Sequence, residues 1–149
     1  VIKFQEKHKD VKFKLLQNEE SENFDIQITT KLFFQQMIED ETVYIQNEKI
    51  FLAVPNNEQF KDVESITLKE VEHEGFISLA GSRQFRYICD KFCHHANIRP
   101  NYIFESDSPA AVQDMIAANM GIGFWPEQSW GKLNNKKDIL TFCKNIFFI

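Results

Sequence analysis

The sequence has no run of apolar residues approaching the roughly 18 that a membrane span requires, so no transmembrane helix is expected. It opens at Val1, without an initiator Met or a signal peptide, and reads as a piece of something longer. Cysteine is scarce. Cys89, Cys93 and Cys143 are odd in number and fit no disulfide framework, which favours a reducing, cytoplasmic setting. Basic charge is short as well: 17 Lys and Arg against 22 Asp and Glu leave a formal charge of −5. DNA affinity rests largely on cations that neutralise phosphates, so this chain by itself is poorly suited to bind a duplex.

Catalytic signatures are missing too. There is no Gly-x-Ser-x-Gly elbow, no Walker loop and no His-Glu-x-x-His. Gly121-Ile122-Gly123 is too short for a dinucleotide fingerprint; two glycines there let a helix end and a strand begin in tight quarters. Carboxylates near Glu19, Glu39 and Glu70 lie in polar runs that read as solvated faces, and no catalytic pair stands out. No catalytic residue, cofactor or metal is therefore expected. Cys89, Cys93, His94 and His95 are close together, but Phe85, Cys89, Phe92, Cys93 and Ala96 fall on one helical face as an apolar stripe. His94 and His95 point about 100° apart on a helix and do not readily share an ion, so core packing outweighs a metal site.

What is present is a soluble α/β pattern, with 15 phenylalanines available to build a core. Residues 1–8 carry apolar positions at helical spacing. Residues 11–15 and 24–28 alternate apolar and polar, the period of a half-buried strand. Strand-like runs follow at 33–38 and 49–54, and Pro55 closes the second. Residues 56–64 are polar and aperiodic, and a short helix is expected over 69–74 before Gly75. Then come a strand at 76–79, a helix at 83–97 capped by Ser82, and a strand at 101–105. A helix follows from Ser108-Pro109 to about Asn119, ending at Gly121, and a strand at 122–125 is broken by Pro126. This alternation predicts an α/β fold with a mostly parallel sheet.

Three segments sit just past predicted strands: Thr29-Thr30, Gly81-Ser82-Arg83-Gln84 and Ser106-Asp107-Ser108. Ligands of open α/β sheets collect beyond the carboxyl ends of strands. Helix N-termini there offer unpaired N–H groups and partial positive charge, which suit an anion. Taken one at a time these are ordinary caps and turns; together at one sheet edge they favour a pocket.

The block Phe4-x-x-x-His8-x-Asp10-Val11-x-Phe13, followed in order by blocks at 24–29, 49–55 and 98–126, resembles in spacing the effector-binding domain of LysR-type transcriptional regulators, with Lys9 where a proline is usual in the opening block. Residues 24–29 and 49–55 resemble its early strands. The series from Ile98-Arg99-Pro100 through Phe104-Glu105-Ser106, residues 111–118 and Gly121-Ile122-Gly123-Phe124-Trp125-Pro126 carries the match best. The resemblance covers about residues 1–130. It implies a type 2 periplasmic-binding-protein-like fold: two α/β lobes joined by crossover strands, lobe I from about 1–55 and 126–149, lobe II from about 56–125. A small effector, anionic by the placement of Arg83, would lie between them against Thr29, Thr30, Ser82, Arg83, Ser106, Gly123 and Phe124. The resemblance also implies a homodimer or tetramer pairing the first helix with the 83–97 helix, and contact with DNA only through an absent N-terminal winged helix-turn-helix. Two departures stand out. The first strand of lobe I is missing, and residues 132–149 replace the expected strand and helix, which leaves room for an incomplete lobe I. A free-standing solute-binding protein of the same fold is the main alternative, and an enzyme on the same scaffold a third.

Overall fold

Apolar residues on both faces of the central strands set the architecture. A computed structural model describes residues 1–16, 23–28, 43–80, 83–131 and 138–142 (Arg83 by its backbone alone). The elements are α1 (Ile2–Lys7), β1 (Ile50–Pro55), β2 (Gly75–Leu79), α2 (Arg83–His95), β3 (Asn101–Ser106), α3 (Pro109–Ala117), β4 (Ile122–Pro126) and β5 (Ile139–Phe142). The five strands form one sheet in the order β3-β2-β4-β1-β5. β2 runs parallel to β3 and β4, whereas β1 is antiparallel to β4 and β5.

Successive strand residues point to opposite faces, and here each face has its own core. On one face Leu52, Val54, Phe76 and Phe124 pack with Ile88, Cys89, Phe92 and Cys93 of α2. On the other, Ala53, Ile77, Leu79, Trp125 and Ile139 pack with Val112 and Ile116 of α3. Burial on both faces explains why β1 and β4 read as nearly unbroken apolar runs rather than alternating ones. β3, at the edge, keeps the half-exposed alternation.

Both long helices end the same way. Asn97 takes φ 54° and Asn119 φ 61°. Ile98 N–H donates to Cys93 O at 3.0 Å and Asn97 N–H to His94 O at 3.0 Å. Met120 N–H donates to Met115 O at 3.1 Å and Asn119 N–H to Ile116 O at 3.0 Å. These are Schellman closures with Asn in the left-handed position that Gly usually fills. The helix expected to run to about Asn119 and end at Gly121 has its last helical residue at Ala117, and Asn119, not Gly121, takes the left-handed closing position. Gly121 instead permits a close approach of strands. A Cβ there would overlap Gly75 O, and one at Gly123 would lie 2.9 Å from Ile77 O and 3.2 Å from Ile116 Cδ1. Both glycines let β4 lie against its neighbours.

Several expectations change. The sheet is mixed rather than mostly parallel, because β1 and β5 enter it antiparallel. Residues 11–16 and 23–28 are irregular and exposed; a strand is defined by its ladder, and neither has a partner strand among the described residues. Residues 68–73 form turns, with Glu70, Val71 and Glu72 N–H bonding three residues back, although Thr67 and Glu70 make a capping box. This polar connection is held down by buried Phe60, Ile66 and Val71. Pro126 ends β4 from inside the strand, opposite Ile50. β1 and β5 come from the stretches assigned to lobe I, yet both are bonded into this sheet. The expected strand at 33–38 lies outside the described residues.

Gly121→Ala should lower folding stability by about 1–3 kcal/mol, because the methyl meets backbone that can move only by shifting β2. Urea unfolding followed by tryptophan fluorescence measures this; an unchanged midpoint would mean the strands have slack.

Candidate functional site

The sheet itself singles out one edge. α2 leaves the end of β2 and covers one face, while α3 leaves the end of the adjacent β3 and covers the other. Helices diverging from neighbouring parallel strands leave a crevice at the strands' carboxyl ends. Leu79 pairs with Ser106 at this point, and Ala80 N–H donates to Ser106 O at 2.8 Å. The loop entering α2 and the loop entering α3 thus leave from side by side. Ser106 Oγ accepts from Ser108 N–H at 3.1 Å, and Ser108 Oγ caps α3 by accepting from Ala111 N–H at 3.4 Å. The starts of α2 and α3 carry the partial positive charge of a helix N-terminus.

Of the residues expected to line a pocket, the structure brings Ser106 and the Arg83 backbone to this edge. Gly123 and Phe124 sit further down β4, inside the sheet. Gly123 packs against Ile77 and Ile116, and the Phe124 ring is only 4% exposed, against Phe76 and Phe92 under α2. Thr29, Thr30 and Ser82 lie outside the described residues. A cavity of about 10 Å³ beneath α2 touches Ile77, Ser78, Leu79, Phe85, Cys89, Tyr102 and Phe124; it has room for one water at most.

Two groups near the crevice were not anticipated. Arg86, in the first turn of α2, donates from Nη1 to Glu105 and from Nε to Asp90 at 3.2 Å. Its guanidinium lies 3.3 Å from the centre of the Tyr102 ring, and the Tyr102 hydroxyl donates to Asp90 Oδ1 at 2.7 Å. Burial works against the Arg86 charge, but Glu105, Tyr102 and Asp90 more than offset it and its pKa is raised. Burial, then the bond to Asp90, pushes the Tyr102 phenol up. The Arg86–Asp90 spacing of four was a legible helical pair; the strand partners were not. Trp130 packs between Phe85 and Trp125, with ring centres 4.9 and 5.1 Å away. Trp125 Nε1 donates to Gly131 O at 2.8 Å.

Comparison with known proteins adds family and fold. Residues 1–137 match the family model described as LysR substrate binding domain. The HTH-type transcriptional regulator YybE of Bacillus subtilis is 28% identical over 130 residues, covering 83% of this chain and 44% of YybE. The chain thus spans less than half the length of that relative. Among solved structures, HinK, a LysR family transcriptional regulator from Pseudomonas aeruginosa, aligns with a TM-score of 0.58 at 15% identity, over 69% of this chain and 36% of HinK. The CcmR regulatory domain of Synechocystis PCC6803, in complex with 2-PG, aligns with a TM-score of 0.57 at 14% identity, over 68% of this chain and 49% of that one.

The cysteine–histidine run divides as its helical spacing implied. Cys89 and Cys93 are buried in the core, while His94 and His95 are exposed. Burial first, then neighbouring Cys93 and Asp90, drives the Cys89 thiol well above its ordinary value. Burial and Asp90 raise Cys93 from 9.0 to about 12. Both are held as neutral thiols, neither nucleophiles nor ready metal ligands. A thiol whose pKa is raised by folding stabilises fully below its unfolded pKa, here 9.0, and that contribution is lost as pH climbs toward about 12. Between about pH 8 and about pH 10.5 the native chain should therefore lose more stability than Cys93→Val. Parallel urea titrations check this, and equal losses would place the Cys93 thiol in contact with water.

Proposed function

Because the chain belongs to the LysR substrate-binding domain family, we propose that it is the ligand-sensing part of a transcription regulator, taking a small anionic metabolite in the crevice at the ends of β2 and β3. The observation that carries this is the pairing of two adjacent strand ends, Leu79 against Ser106, each followed in the chain by a helix. A carboxylate or similar anion there would be held by the positive ends of α2 and α3, and Arg83 is the residue that opens α2. The Synechocystis relative was solved with 2-PG bound, which supports ligand binding on this fold. Thr29, Thr30, Ser82, Arg83 and Ser106 are the proposed contacts. Gly123 and Phe124 contribute by shaping the floor beneath them.

In this reading the described sheet is the second lobe, and residues before β1 belong to the first. The chain senses in the cytoplasm and touches DNA only through a separate domain, as a homodimer or tetramer. α1 has no buried residue of its own and is the proposed partner of α2 in a second copy. The effector acts by binding one lobe arrangement more tightly than another, since equal affinity for both would shift nothing. No chemistry on the effector is required, and the groups described at the crevice supply no activated nucleophile.

A thermal-shift screen against small carboxylates, amino acids and inorganic anions tests the proposal. A ligand at a hundred times its dissociation constant should add about 2.7 kcal/mol of apparent stability. Arg83→Ala and Ser106→Ala should each weaken the hit by about tenfold or more, with no turnover of the ligand. Unchanged affinity in both variants would move the site elsewhere, and turnover would make the chain an enzyme.

A further inference from the structure

The crevice has usable geometry only if the ends of β2 and β3 and the first turn of α2 keep a fixed relation. Very little backbone ensures this. Ala80 N–H to Ser106 O is a single hydrogen bond beyond the last ladder pair, β3 is an edge strand, and its register slips between Phe76 and Ile77. One side chain reaches all three segments. Arg86 Nη1 donates to Glu105, the residue before Ser106, and approaches Ser78 Oγ, the residue before Leu79, at 3.4 Å. Nε faces both Asp90 oxygens at 3.2 and 3.3 Å. Tyr102 of β3 lies flat under the guanidinium and is bonded to the same Asp90.

We infer that Arg86 is a positioning residue for the effector crevice, tying the ends of β2 and β3 to the first turn of α2. Lysine cannot substitute: a point charge on a flexible stem lacks the planar fork that serves Glu105 and Asp90 together while stacking on Tyr102. Arg86 is also not the effector's own cation. Two carboxylates already face it, so an incoming anion would have to displace them and leave them unpaired. The inference rests on the crevice being the effector site, but the clamp can be tested without any ligand.

The test is native-state hydrogen exchange by NMR on the 149-residue chain, comparing Arg86→Lys and Glu105→Gln with the native sequence. Ala80 N–H reports whether the strand ends stay together, and the amides of β1 and β4 report opening of the whole sheet. Each variant should speed exchange at Ala80 by about tenfold or more while β1 and β4 stay within about twofold. Unchanged exchange at Ala80 in both variants overturns the proposal. So does an equal rise at all these amides, which would make Arg86 a general contributor to stability. Glu105 is half exposed, so Glu105→Gln carries the test if Arg86→Lys does not fold. No ligand enters the measurement: a negative result leaves the effector reading standing, and silence in the ligand screen leaves the Ala80 result standing.

Discussion

Burial of the sheet on both faces is the constraint from which the rest follows. With α2 on one side and α3 on the other, consecutive residues of a central strand must both be apolar, as Leu52 and Ala53, Phe76 and Ile77, and Phe124 and Trp125 are. A strand buried in this way keeps little polar surface, and among the described residues Ser78 of β2 is the buried polar side chain. Because the helices after β2 and β3 turn to opposite faces, their starts diverge around one edge, and that edge is where we propose recognition occurs.

Electrostatics at that edge divide into committed and available charge. Arg86 is committed: Glu105, Asp90 and the Tyr102 ring surround it. The helix starts are the proposed anion contacts. Cys89 and Cys93 sit close behind, and burial keeps them protonated, so the α2 face under the crevice is chemically quiet. At the other side of the sheet, Glu48 accepts Gln128 N–H and Ser129 N–H at 2.7 and 2.8 Å, joining the segment that enters β1 to the turn that follows β4.

Local signals were readable wherever short-range chemistry decides conformation. Ser108-Pro109 gave the start of α3, since a hydroxyl cap and a residue with no N–H suit the first turn. The apolar stripe from Phe85 to Cys93 gave the buried face of α2, and the resemblance of the 98–126 series to LysR effector domains gave the family. Alternation at 11–15 and 24–28 misled, because period two states which residues could face a core, not whether a ladder partner exists. The helix expected over 69–74 is absent for a related reason: the Thr67–Glu70 cap stabilises a helix end but does not supply the turns that must follow it. Arg86 is not among the residues singled out from the sequence. The spacing of four to Asp90 is a local signal that could have pointed to it, but Glu105 and Tyr102 reach it only once β3 lies beside β2.

The sequence by itself determined the α/β class, the N-cap of α3 and the core placement of Cys89 and Cys93, since each depends on residue type and on neighbours within a turn or two, and the order and spacing of its blocks determined the family. Tertiary structure alone decided that β1 and β5 join the sheet antiparallel, that the Phe124 ring packs against Phe76 and Phe92, and that Arg86 reaches Ser78, Asp90 and Glu105 from three segments. Those outcomes depend on which strands lie side by side, and strand order is fixed by long-range packing that no local pattern encodes.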